Sequence, residues 1–173
     1  NLPLVIDRLA NILSRMEGSI LDEITLWLEG KPDKAYFDLS PLLYKIGTDE
    51  AFEYLKDIYS KRGSELQRFI AQMISQAPKQ KGAGILHMGL KANDEQIRNI
   101  STEALIKMKD KVYTDMLVER LKVKNPFGSK DKEIMGAINL LKMIGAEESV
   151  PYLAELFYKK PFPFWVNNDN LRV

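Results

Sequence analysis

Apolar residues follow one another at steps of three and four along most of the chain. One such stripe consists of Leu39, Leu42, Leu43 and Ile46. Steps of three and four place side chains on one face of an α-helix, whereas a half-buried strand needs strict alternation, which is nowhere sustained. The pattern therefore predicts an all-α chain of amphipathic helices.

The stripes return at a regular interval, which indicates an internal repeat. Five apolar columns keep spacings of 31, 31 and 36 residues. They are Leu42, Met73, Ala104 and Leu140; Leu43, Ile74, Leu105 and Leu141; Ile46, Ala77, Met108 and Ile144; Leu55, Leu86, Leu117 and Leu153; Tyr59, Leu90, Leu121 and Phe157. In each unit the first stripe stops at Gly47, Pro78, Lys109 or Gly145 before a second begins, so each unit is predicted to be helix, turn, helix.

This periodicity predicts one domain over residues 1–173, a right-handed α-solenoid of about five stacked helix pairs. The clear repeats are 33–62, 64–91, 93–124 and 130–160, preceded by a degenerate pair at 1–30. Residues 167–173 resemble the beginning of the repeat at Asn93, so we expect a further repeat to start there and the chain to be a piece of a longer protein. An uncapped C-terminal end would favour self-association.

Helix ends carry capping chemistry. Asn93 with Gln96 is typical of an N-cap and its capping-box partner. Two turns are close relatives, since residues 46–55 and 144–153 share the pattern Ile-Gly-x-(Asp/Glu)-Glu-x-(apolar)-x-Tyr-Leu. At this pattern the chain resembles the short HEAT-like repeats of the phycobilisome-lyase type, over about residues 33–160.

The amino-acid composition argues against several classes of functional site. The chain has no cysteine and one histidine, His87, so thiol chemistry, Cys-based zinc sites and a metal or cofactor centre are not expected. No apolar stretch approaches the roughly 20 residues that cross a bilayer, so we expect a cytoplasmic protein without a membrane partner. Adjacent carboxylates such as Asp49 and Glu50 suit helix N-termini and do not face each other across a cleft.

Charge is uneven along the chain. Residues 1–60 carry a net charge of −5, whereas residues 61–124 carry +6. A basic zone over 61–124 allows an alternative function, a helical-repeat domain that binds nucleic acid. Against this, acidic residues are interspersed and lysines on outer helix faces are ordinarily solvated.

Two insertions depart from the repeat, at 124–129 and 160–166. Both contain Pro-Phe and both leave the second helix of their unit. The residues predicted to bind a partner are Phe127, Phe162, Phe164 and Trp165 as aromatic anchors, with Arg98, Lys122 and Lys124 as charge partners. The alternative is that the aromatic side chains fold back over the neighbouring helix pairs.

The sequence therefore predicts a non-catalytic scaffold that binds another protein or a peptide segment. The resemblance leaves a rival, because similar repeats occur in bilin lyases and related ones in a family of DNA glycosylases. The residues that carry the resemblance build the scaffold, and no catalytic residue of either family matches a position in this chain.

Overall fold

The computed structural model describes residues 12, 19–28, 30–122 and 130–158. All regular elements within these residues are helical, and none of them is a strand. The prediction of an all-α chain is confirmed for this part of the molecule. Contacts divide the chain into two compact units, Asn1–Met108 and Lys109–Val173, called unit 1 and unit 2 below.

Unit 1 contains α1 to α6 in its described residues. The helices are α1 (Ser19–Leu28), α2 (Asp33–Ile46), α3 (Asp49–Lys61), α4 (Ser64–Gln76), α5 (Ala83–Gly89) and α6 (Glu95–Met108). A short 3₁₀ turn, Gln80–Gly82, precedes α5. Alternate helices stack, since α1 contacts α3, α3 contacts α5, α2 contacts α4 and α4 contacts α6.

Two of the apolar columns lie in the core of unit 1. Leu43, Leu55, Ile74, Leu86 and Leu105 are all fully buried. Burial of each such side chain contributes about 1.5–3 kcal/mol relative to exposure. Two of the five predicted columns are therefore core positions in unit 1, whereas Leu42 and Met73 of another column are half-buried and Ala77 of a further one is exposed.

Helix boundaries follow from specific capping residues. Gly47 ends α2 with a left-handed φ of 71°, and its N–H donates to the carbonyl of Leu43 over 3.2 Å. The hydroxyl of Thr48 then accepts a hydrogen bond from the N–H of Ala51 and begins α3. A turn of two residues between helices results.

The cap of α6 differs from the sequence prediction. Asp94, not Asn93, accepts hydrogen bonds from the N–H groups of Gln96 and Ile97, at 2.8 and 3.4 Å. Asp94 directly precedes the first helical residue, and its carboxylate favours the positive end of the helix. The predicted capping residue was therefore one position too early.

Unit 2 contains α7 (Lys111–Leu121), α8 (Asp131–Ile144) and α9 (Val150–Tyr158), with a 3₁₀ turn at Glu147–Ser149 before α9. Helix α7 packs against both α8 and α9. The buried carboxylate of Asp110 caps α7 by accepting from the N–H of Tyr113 over 2.8 Å. This packing leaves a groove between α8 and α9.

Candidate protein-binding groove

The groove of unit 2 is lined by one face of α8, the turn after it and the beginning of α9. We call it the α8–α9 groove. Its volume is about 420 Å³, and its lining residues are Ile138, Leu141, Lys142, Gly145, Ala146, Glu147, Ser149, Val150 and Leu153. Ile138, Leu141, Lys142 and Gly145 follow helical spacing, so one face of α8 forms one wall of the groove.

The turn at the base of the groove is tightly hydrogen bonded. Gly145 has a φ of 69°, and its N–H lies 3.1 Å from the carbonyl oxygen of Leu141. The N–H of Ala146 donates to the same carbonyl over 3.3 Å, and the hydroxyl of Ser149 donates to the carbonyl of Ala146 over 2.6 Å. A left-handed glycine followed by these bonds is a common way to end a helix, and it fixes where α9 starts.

Equivalent positions of the repeat show that the groove is unusually open. The column that contains Val150 also contains Phe52, Ala83 and Thr114, whose exposed fractions are 4%, 8% and 1%. Val150 is 59% exposed. The first three positions are thus covered by other parts of the chain, whereas among the described residues little covers the fourth.

The neighbouring column gives the same result. Leu55, Leu86 and Leu117 are fully buried, but Leu153 is partly exposed. In the last described helix pair, the side chains at two neighbouring repeat positions are therefore more exposed than their equivalents in the other helix pairs. An apolar patch of this kind, bordered by polar residues such as Lys142 and Glu147, is typical of a binding surface.

Five of the seven predicted partner-binding residues lie outside the part of the chain that the structure describes. They are Phe127, Phe162, Phe164, Trp165 and Lys124. Their role as anchors and charge partner therefore stays a prediction.

Two predicted charge partners, Arg98 and Lys122, lie among the described residues. Arg98 lies on α6 and donates to the backbone carbonyls of Ala92 and Asn93, both at 2.7 Å, so it closes the loop before its own helix. Lys122 follows α7, lies 2.5 Å from a carboxylate oxygen of Glu119 and 4.7 Å from the ring centre of Tyr152. The hydrogen bond to Glu119 raises the pKa of Lys122, so its ammonium stays charged.

Much of the basic zone is paired within the chain. Lys61 pairs with Asp57, Arg62 with Asp33, Arg68 with Asp94, and Lys81 with Asp49. Three of these pairs join residues far apart in the sequence, so they could not be found from local spacing. Pairing of this kind lowers the positive potential that a phosphate backbone would meet.

A polar cluster in unit 1 consists of the buried Tyr59 and the partly exposed side chains of Arg68 and Asp94. Tyr59 is 3% exposed, and its hydroxyl has no hydrogen-bond partner among the described residues. Burial raises the pKa of Tyr59 to about 12, with a smaller contribution from the negative charge of Asp94. A hydrogen bond from Arg68 in turn lowers the pKa of the Asp94 carboxyl. Because Tyr59 is enclosed, we assign this cluster to the packing of the helices.

The described part of the chain contains neither a metal-binding cluster nor a membrane-spanning helix. No group of three His, Cys, Asp or Glu side chains is arranged there to hold a metal ion. None of the described helices is both long and apolar enough to cross a bilayer.

Comparison with known proteins adds no assignment. No family model matches the chain, and neither the curated proteins nor the solved structures include a significant match. The functional argument therefore depends on the groove and on the repeat pattern.

Proposed function

We propose that the chain is a non-catalytic scaffold of HEAT-like helix pairs, wound as a right-handed solenoid, that binds another protein in the α8–α9 groove. The observation that carries the proposal is the exposure of Val150 in a column whose three other members are buried. The ligand is a protein segment with apolar side chains, because the exposed part of the groove is mainly aliphatic.

The repeat arrangement is supported by packing within unit 1. Helices two positions apart in the chain stack on each other in two rows, α1–α3–α5 and α2–α4–α6. Solenoids of helix pairs have this pattern, since each repeat contacts its neighbours. Shared positions such as Ile46 and Ile144, each followed by a left-handed glycine, support a HEAT-like repeat in both units.

A scaffold role is also consistent with the contacts that the acidic residues make. Asp94 and Asp110 cap helices, and Asp49 pairs with Lys81 over 2.8 Å. Carboxylates used in this way stabilise helix ends and inter-helix contacts. A general acid or base would instead need to reach a bound substrate.

The groove residue Val150 and a matched control test the proposal. Val112 is also 59% exposed and also lies in the first turn of its helix, α7, outside the groove lining. Aspartate is favourable in the first turn of a helix, so Val150→Asp and Val112→Asp should both leave the fold intact. The two variants differ in whether a charge enters the groove.

The measurement is affinity capture from nuclease-treated lysate with the native chain and both variants, quantified by mass spectrometry. We expect Val150→Asp to reduce retention of a specific protein by about tenfold or more, which corresponds to about 1.4 kcal/mol of lost binding energy. Val112→Asp should retain it. Equal retention by both variants, or retention that disappears with nuclease, contradicts the proposal, and the second result favours the nucleic-acid alternative.

A further inference from the structure

The surface equivalent to the α8–α9 groove is filled in the helix pair of α2 and α3. The repeat register that aligns Val150 with Phe52 also aligns every other lining residue of the groove with a residue of this pair or of its turn. Leu43, Phe52 and Leu55 are fully or almost fully buried there. The part of unit 1 that covers this surface therefore shows what shape and chemistry the groove accepts.

The polar edge of this surface is bound by residues 77–82, which we call the α4–α5 turn. The hydroxyl of Tyr44 donates a hydrogen bond to the carbonyl of Ala77, and the ammonium of Lys79 donates to the carbonyl of Tyr44 over 2.7 Å. The same ammonium lies 4.7 Å from the centre of the Tyr44 ring. Two residues of the turn are thus fixed against the last turn of α2.

The α4–α5 turn also contacts α3. Lys81 pairs with Asp49 over 2.8 Å at the beginning of α3. A Cβ added to Gly82 would lie 3.4 Å from the ring of Phe52, so the backbone of the turn lies directly against the apolar surface. Helix α4 stacks on α2 and α5 stacks on α3, so the turn covers this surface as part of a complete helix pair.

The α8–α9 groove keeps one of these charge requirements and reverses another. Glu147 is exposed and is aligned with the carboxylate that pairs with Lys81, so a cation in the same place would again be paired. Lys142 is exposed and is aligned with Tyr44. A lysine in the place of Lys79 would face a like charge there, so an acidic side chain is favoured instead.

We propose that the α8–α9 groove binds a helix pair of another protein, whose turn lies against Val150 with a basic side chain at Glu147 and an acidic side chain at Lys142. This ligand deepens the proposed function, on which it rests, because it replaces an apolar segment of any conformation with a helix–turn–helix of defined charge order. The two charges of opposite sign set the direction in which the turn enters the groove.

The test uses the chain's own repeat at 64–91 as a probe for the full chain. The probe is a fluorescein-labelled synthetic peptide of residues 64–91, which contains α4, the α4–α5 turn and α5, with Lys79→Glu to match Lys142. We expect saturable binding in fluorescence anisotropy. Val150→Asp should weaken it by about tenfold or more, and Val112→Asp, at an equally exposed position, should leave it unchanged.

A charge swap tests the order of the two charges. Glu147→Lys should weaken binding by about two- to fivefold, and a probe that also carries Lys81→Glu should restore it. Asp115→Lys changes an exposed acidic residue of α7 outside the groove lining, so it should have no effect. Recovery with the swapped probe shows that Glu147→Lys still folds, which separates lost pairing from lost structure.

Photo-cross-linking of the same probe decides the question if binding is too weak for anisotropy or if the free peptide is not helical. A photoreactive amino acid at position 150 should label residues 77–82 of the probe. The same amino acid at position 112 should not label them.

Four results would overturn this assignment of the ligand. These are no binding of the probe by either method, equal cross-linking from positions 150 and 112, equal effects of Glu147→Lys and Asp115→Lys, and self-association of the chain that Val150→Asp abolishes in analytical ultracentrifugation. The last result would make a second copy of the chain the occupant. Capture that depends on Val150 without binding of the probe contradicts only this inference, whereas binding of the probe with capture that ignores Val150 contradicts only the proposed function.

Discussion

Gly89, the last residue of α5, is a position where one added methyl group should disturb the packing of unit 1. A Cβ there would overlap the hydroxyl oxygen of Ser101 on α6 and lie 3.0 Å from the Cβ of Ser101. It would also lie 3.1 Å from the hydroxyl oxygen of Tyr59 on α3. Because both neighbours are buried, Gly89→Ala requires the hydroxyl of Ser101 to rotate and the packed side chains or α5 to shift.

The magnitude follows from two opposing effects. Overpacking a core costs about 1–3 kcal/mol, whereas replacing a helical glycine by alanine stabilises a helix by about 0.5–1 kcal/mol. Gly84 lies on the same helix, and nothing lies within 4 Å of a Cβ added there. We therefore expect Gly84→Ala to raise the free energy of unfolding and Gly89→Ala to lower it by about 1–2 kcal/mol.

The assay is urea unfolding followed by far-ultraviolet circular dichroism, with the slope m compared among the variants. Ser101→Ala in the Gly89→Ala background removes the overlapping oxygen, so it should recover part of the loss with a coupling energy of about 1 kcal/mol. If Gly89→Ala were as stable as Gly84→Ala, the close approach of α5 to α6 would be wrong.

Two further predictions concern buried polar residues. Tyr59→Phe should leave the free energy of unfolding unchanged or raise it by about 1 kcal/mol, because the lost hydroxyl is buried and unpaired among the described residues. Its raised pKa keeps the phenol neutral in the fold, so native stability should fall as the pH rises from about 10 towards about 12. Titration of urea midpoints should show less alkaline loss in Tyr59→Phe, and an identical profile would contradict the burial. Asp110→Ala should cost about 0.5–2 kcal/mol in the same unfolding assay and Asp110→Asn much less, since asparagine also caps α7; equal losses would rule out capping as the cause.

The helices themselves could be predicted from the sequence because their apolar stripes are long and regular. Ile46 and Ile144 are each followed by a glycine, and both glycines adopt the left-handed conformation that ends a helix. Local patterns suffice for such features, since the cause of the structure lies within one turn of the helix.

Other features depend on contacts between helices and could not be predicted. Pro41 lies inside α2, although proline removes a helical hydrogen bond, because the buried neighbours Leu43 and Tyr44 hold the helix in place. The pairs of Arg68 with Asp94 and of Lys81 with Asp49 likewise depend on which helices are neighbours. A count of charges in the sequence therefore does not show which basic residues are paired with carboxylates.

The α8–α9 groove depends both on local helix patterns and on contacts between helices. The sequence does not give the exposure of Val150, because that exposure depends on the packing of α7, α8 and α9.

The most direct test of the groove is photo-cross-linking from within it. A photoreactive amino acid replaces Val150 in one variant and the equally exposed Val112 in the other, and both are irradiated in nuclease-treated lysate. If the groove binds a protein, one specific protein should be cross-linked from position 150 and not from position 112. Cross-linking that is equal at the two positions, or absent at both, would contradict the proposal that the α8–α9 groove is a protein-binding site.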